Sequence, residues 1–136
     1  MADTGLKIST DKVVNYLRCT GGYTSAVKEV AEREFTVAAA EQKGLKVTDE
    51  ELQKASDAWR AFKGLLNAQD TMNWLATNSL TIDSYEDFLA ANLLIAKFKH
   101  SLASEAQIEN IFLDPQCQET AIDLLYYNWL AGTMGK

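Results

Sequence analysis

Residues 44–80 read GLKVTDEELQKASDAWRAFKGLLNAQDTMNWLATNSL, and the punctuation in this stretch decides the fold. Thr48 followed three residues later by Glu51 is a capping box, in which the hydroxyl accepts from the Glu51 amide while the Glu51 side chain reaches back. Val47 before the cap and Leu52 after it are placed to close as a hydrophobic staple. From that start Leu52, Ala55, Trp59 and Phe62 fall on one helical stripe, and Gly64 supplies a terminator. Asn67, three residues before Asp70, caps a second helix that carries Met72, Trp74 and Leu75. A connection as short as GLLNA makes the two helices neighbours, so Trp59, Phe62 and Trp74 are expected in one apolar region.

The same grammar extends outward in both directions. STDKVVNYLRCTGG begins with capping residues Ser9 and Thr10, places Val13, Val14 and Leu17 on adjoining turns, and stops at Gly21 and Gly22. Between Thr24 and Lys43, the residues Val27, Val30, Ala31, Phe35 and Ala38 recur at helical steps, and Gly44 sits where a C-terminal cap needs positive φ. Ser84 with Asp87 opens the longest periodic segment, whose residues Phe88, Leu89, Leu93, Leu94, Ile95 and Phe98 cover more than one face, as a central helix would. Ser104 and Gln107 begin a short helix through Phe112. Asp114 and Pro115 then provide an N-cap and a first-turn proline for a last helix, Gln116 to Ala131. Its Ile122, Leu125, Tyr126, Trp129 and Leu130 are too much apolar surface to leave in water, so it is expected to pack on the long helix and close the bundle.

Strand signals are almost absent. The expected architecture is all-α: a single compact bundle of six or seven helices forming one domain over residues 1–136, with uneven helix lengths that leave a groove. Of the 136 residues, 47% are hydrophobic and 24% charged, and thirteen basic against nineteen acidic side chains give a net charge of −6. That balance disfavours nucleic acid, whose partners present a clustered basic face. No apolar run reaches the length of a membrane span, and the first residues lack the basic and apolar regions of a secretory signal, so a cytoplasmic protein is expected. Cys19 and Cys117 form no CxxC pair and are read as reduced and buried, not as metal ligands.

The segments GLKVTDEELQKA, GLLNAQDTMNWL and YEDFLAANLLIAKFKHSL, in this order, resemble the N-terminal helical lobe of SurA-type chaperones and parvulin-linked peptidyl-prolyl isomerases. The likeness runs from about Ile8 to Phe112. Such proteins continue into a parvulin domain that uses histidines; here the residues after Phe112 are few and helical, and His100 is the sole histidine, so no prolyl isomerase site is expected. The resemblance implies a non-catalytic, chaperone-like module that binds extended or partly folded peptide and assists a peptide-maturation or biosynthetic pathway, with helix 116–131 returning to complete the lobe.

The side chains expected to line a peptide groove are Trp59, Phe62, Leu66, Met72 and Trp74, since aromatic and Met surfaces adapt to varied apolar side chains. Acidic residues at its rim would favour basic, apolar peptides. Packing of the same aromatics as ordinary core is the competing reading. A small cofactor-independent enzyme is the alternative from another class, with Glu32, Asp57 or Tyr126 moving protons if burial shifts a carboxyl upward. No Glu-x-x-His pair exists for di-iron chemistry, and neither metal nor cofactor is expected. His100, near the end of the long helix, is placed to complement its negative terminus.

Overall fold

The computed structural model describes residues 7–134, and within them every regular element is helical. In chain order these are α1 (Thr10–Thr20), α2 (Gly22–Gln42), α3 (Asp49–Lys63), α4 (Ala68–Thr77), α5 (Ile82–Glu105), α6 (Ile108–Ile111) and α7 (Pro115–Met134). The seven helices form a compact bundle, as the periodicity predicts. Among the described residues no helix is long and apolar enough to cross a membrane.

Local chemistry sets most of the boundaries. Ser9 Oγ accepts from the Lys12 amide at 3.2 Å, and Asn67 Oδ1 from the Asp70 amide at 2.8 Å. The capping box closes in both directions: the Glu51 amide donates to Thr48 Oγ1 at 3.1 Å, and the Thr48 amide to Glu51 Oε1 at 2.9 Å. Asp114 Oδ1 accepts from the Gln116 amide at 3.0 Å, with Pro115 in the first turn of α7. Only one residue separates α1 from α2. Gly21 makes that reversal at φ 84°, a conformation that a β-carbon would strain.

α2 starts at Gly22, two residues before the expected Thr24, α7 runs to Met134, about a turn past the expected Ala131, and both ends of α5 differ from the expected ones. The longest helix is capped by Thr81, not Ser84: Thr81 Oγ1 accepts from the Ser84 amide at 3.0 Å, which adds a turn at the start. At its other end α5 runs on through Glu105, and the short helix begins only after Gln107 reverses the chain at φ 55°.

α5 is the strut of the molecule. Its 24 residues span about 36 Å, and α2, α3, α6 and α7 all pack on it. One apolar cluster forms on its C-terminal half, where Ala40, Phe98, Tyr126 and Leu130 are buried with Trp129, Leu94 and Leu102 around them. The Phe98 and Trp129 rings lie 4.5 Å apart. This is where α7 packs back on the long helix. A second cluster forms on the N-terminal half, where Leu75, Tyr85 and Leu89 are buried beside Leu52, Trp59 and Trp74.

α2 packs through its small residues. Thr36 and Ala40 are its buried positions, whereas Val27, Val30 and Phe35, the bulkier members of the expected stripe, are exposed. The geometry explains the reversal: small side chains let the α2 and α5 backbones approach, and Arg33 completes the contact by donating to Asn92 Oδ1 at 2.7 Å. The first half of α2 extends past this contact with α1 alongside it. Cys19 and Cys117 are free thiols as expected, but both are exposed rather than buried, since each lies on the outer side of a terminal helix turn.

Lys97 ties α3 to the strut. Its ammonium donates to the Lys46 carbonyl at 2.6 Å and to Glu51 Oε1 at 2.8 Å, and lies 2.7 Å from Oε2. The Lys97 hydrogen bond, reinforced by the Thr48 amide, holds the Glu51 carboxyl down at about 2 from an ordinary 4.5. Thus one carboxylate completes a helix cap and anchors that helix to its neighbour.

Candidate functional site

α3 and α4 descend as a hairpin onto the first half of α5, and the three helices enclose a cavity of about 450 Å³ that is open to solvent on one side. Its existence follows from how α4 is held. Trp74 and Leu75 dock on Tyr85 and Leu89, with the Trp74 and Tyr85 rings 6.0 Å apart, while the first turn of α4 is joined to α3 through Arg60 and Thr71, and the space left between these contacts is the cavity. Leu52, Leu75 and Leu89 form the apolar floor.

Polar groups line one wall in register. Asp49, Gln53, Ser56 and Arg60 all border the cavity, and their spacing of i, i+4, i+7 and i+11 places them on one face of α3. Ser56 Oγ lies 2.9 Å from the Tyr85 hydroxyl, and Arg60 Nε donates to Thr71 Oγ1 at 3.0 Å, a bond that bridges α3 to α4. These inner groups satisfy one another. At the mouth, by contrast, Asp49 and Glu86 are exposed carboxylates with no ion-pair partner among the described residues.

Behind the wall stands an aromatic cluster centred on Trp59. Its ring is 5.3 Å from Phe88, 6.0 Å from Phe62 and 6.4 Å from Trp74, mostly in edge-on or tilted arrangements that suit the ring quadrupoles. The Lys63 ammonium sits 5.0 Å over Trp59, and the Arg33 guanidinium 5.2 Å over Phe88. Trp59 Nε1 is buried without a hydrogen-bond partner among the described residues.

The five residues singled out in the sequence therefore separate. Trp59, Phe62 and Trp74 do come together. Met72 lines the cavity directly. Trp59 and Trp74 are half-buried against the Leu75–Tyr85–Leu89 cluster and form a supporting wall, Phe62 is 78% exposed beneath Lys63, and Leu66 is 82% exposed in the α3–α4 connection, away from the cavity. The polar stripe of α3, together with Thr71, Tyr85 and Glu86, went unnoticed in the sequence. The signal for it was the 49–53–56–60 spacing beside the apolar Leu52–Ala55–Trp59 stripe.

The residues considered for proton transfer do not converge. Glu32 lies on α2 at 4.0 Å from Lys28, Asp57 is exposed beside Arg60, and the Tyr126 hydroxyl is engaged with Thr36 in the other cluster. His100 borders a separate cleft of about 300 Å³ beneath α6.

A larger cleft of about 560 Å³ lies between α2, α5 and α7, bordered by Phe35, Phe98 and Trp129. Its cation is already satisfied: Lys43 donates to Glu105 Oε1 at 2.6 Å and to Ser101 Oγ at 2.8 Å. The α3–α4–α5 cavity alone of these two presents uncompensated charge beside an apolar floor. Comparison of the chain with protein-family models, with curated proteins and with solved structures finds no match.

Proposed function

We propose that the chain is a non-catalytic, chaperone-like module that binds extended peptide in the α3–α4–α5 groove. In this reading an apolar side chain of the peptide enters between Leu52, Met72 and Leu89, and a neighbouring basic side chain meets Asp49 and Glu86. The observation that carries it is the combination at one mouth: two unpaired carboxylates over an apolar cavity that is open on one side. A volume of about 450 Å³ falls within the range of ligand sites. An open side admits a chain that continues past the pocket in both directions, which a closed pocket for a small molecule would not.

The same function is what the SurA-type resemblance read in the sequence of residues 8–112 would imply. Two exposed free thiols suit a reducing compartment, and a cytoplasmic site of action is part of the proposal. Affinity should be weak, because ordering a flexible peptide offsets much of the gain from burial.

The test is a titration followed by tryptophan fluorescence, since Trp59 and Trp74 form the supporting wall. A peptide alternating Leu with Lys should shift the emission and saturate at micromolar to millimolar concentration, and a Leu/Glu peptide should not. Met72→Glu should abolish the response. Asp49→Asn with Glu86→Gln should weaken binding roughly 2- to 10-fold at low salt, as expected for two exposed ion pairs. Equal binding of the acidic peptide, or an unaltered response in Met72→Glu, would exclude this groove.

A further inference from the structure

The α1–α2 hairpin presents an apolar face that no other helix among the described residues covers. α1 has no buried residue and packs chiefly on α2, although an isolated helix of its 11 residues is only marginally stable in water. Val13 and Tyr16 are exposed on α1, and on α2 Tyr23, Val27 at 51% and Val30 at 56% are exposed as well. Tyr23, Val27, Val30 and Glu34 follow at intervals of four, three and four residues, so they share one face of α2.

We infer that this face is the interface of a homodimer, in which the hairpins of two copies pack antiparallel about a two-fold axis between Val27 and Val30. The 4–3–4 spacing reads the same in both directions, which is what an isologous contact demands. It sets Val27 against the partner's Val30 and Tyr23 against the partner's Glu34. Arg18 already lies 4.7 Å over the Tyr23 ring, so its guanidinium arrives at a carboxylate that has no ion pair among the described residues.

Area and charge both fit a second copy as the occupant. A stable interface buries about 800 Å² per partner, of which roughly 450–500 Å² is apolar. The exposed parts of these two tyrosines and three valines, summed over both helices of the hairpin, come to on the order of 500 Å², taking aromatic side chains at about 150–250 Å² each when fully buried. The chain as a whole carries −6, but residues 10–34 hold four acidic and four basic side chains, so two copies meet here without net repulsion. The peptide groove is lined by α3, α4 and α5 and shares no residue with this contact.

Sedimentation equilibrium of the full chain tests the inference. The expected species has twice the 15.1 kDa chain mass at tens of micromolar. Val27→Glu with Val30→Glu should give a monomer whose far-ultraviolet circular dichroism retains its helical content. Arg18→Glu should raise the dissociation constant at least 10-fold at low salt, and adding Glu34→Arg should restore it. The charge-swap pair decides the matter if the double valine variant loses helix. A wild-type chain that stays monomeric at 100 µM, a dimer indifferent to these substitutions, or a swap that fails to restore association would each overturn it.

Discussion

Thr36 and Tyr126 lie 90 residues apart in sequence and meet in the interior, with Thr36 Oγ1 2.8 Å from the Tyr126 hydroxyl. The direction of this bond is fixed by its neighbour. Thr36 Oγ1 donates its only hydrogen to the Glu32 carbonyl at 2.8 Å, so the tyrosine must be the donor to Thr36. Removing the two partners therefore has unequal consequences. Tyr126→Phe deletes the donor and leaves Thr36 still bonded to Glu32, a loss of about 0.5–1.5 kcal/mol. Thr36→Val keeps the shape but strands the tyrosine hydroxyl where Thr36 is 0% exposed and Tyr126 is 7% exposed, at a cost of about 1–3 kcal/mol. The double variant relieves the stranded group, so its cost should fall below the sum of the single costs by about 1 kcal/mol or more. Urea denaturation of the four proteins at one concentration measures all three quantities, and a change of 1 kcal/mol also moves Tm by about 4 °C. If Thr36→Val costs no more than Tyr126→Phe, or if the two effects simply add, the tyrosine is not the donor in a dry interior and the packing of α7 on α2 has been misread.

Other perturbations follow from the same contacts. Phe98→Ala empties the centre of the larger cluster, where the ring is 1% exposed, and should lower stability by about 3–5 kcal/mol in the same assay. Phe62→Ser, at an exposed ring, should change stability by less than about 0.5–1 kcal/mol. Because Glu51 is held at about 2 in the folded chain against an ordinary 4.5, its contribution is fully present above pH 4.5 and is lost as the pH falls towards 2. Glu51→Gln should therefore flatten the acid side of the stability profile in that window, and a wild-type profile matching the variant's would contradict the tether to Lys97.

The parts of the fold legible in the sequence were those fixed by near neighbours. Ser9, Thr48, Asn67 and Asp114 each cap through an amide two or three residues on, so the pattern is complete within one turn. Thr81 and Ser84 illustrate the limit: both side chains can accept at a helix start, and the choice between them rests on whether Ile82 and Asp83 join α5. Burial on α2 was less legible, because apolar bulk suggested Val27, Val30 and Phe35 whereas close helix packing selected Thr36 and Ala40. The aromatic cluster was visible since the caps of α3 and α4 frame it. The polar wall was not, for a stripe such as Asp49–Gln53–Ser56–Arg60 looks like a solvated face until α4 and α5 stand opposite it. The Thr36–Tyr126 bond has no local signature at all.

Amide and methyl chemical-shift mapping during titration with a Leu/Lys peptide addresses peptide binding most directly, because it locates the contact without relying on a substitution. Binding in the α3–α4–α5 groove predicts that the largest shifts fall on Leu52, Ser56, Met72 and Leu89, with intermolecular contacts from a peptide Leu methyl to the Met72 methyl. Shifts confined to the α2–α5–α7 cleft around Phe35 and Trp129, or no saturable shift at millimolar peptide, would contradict it.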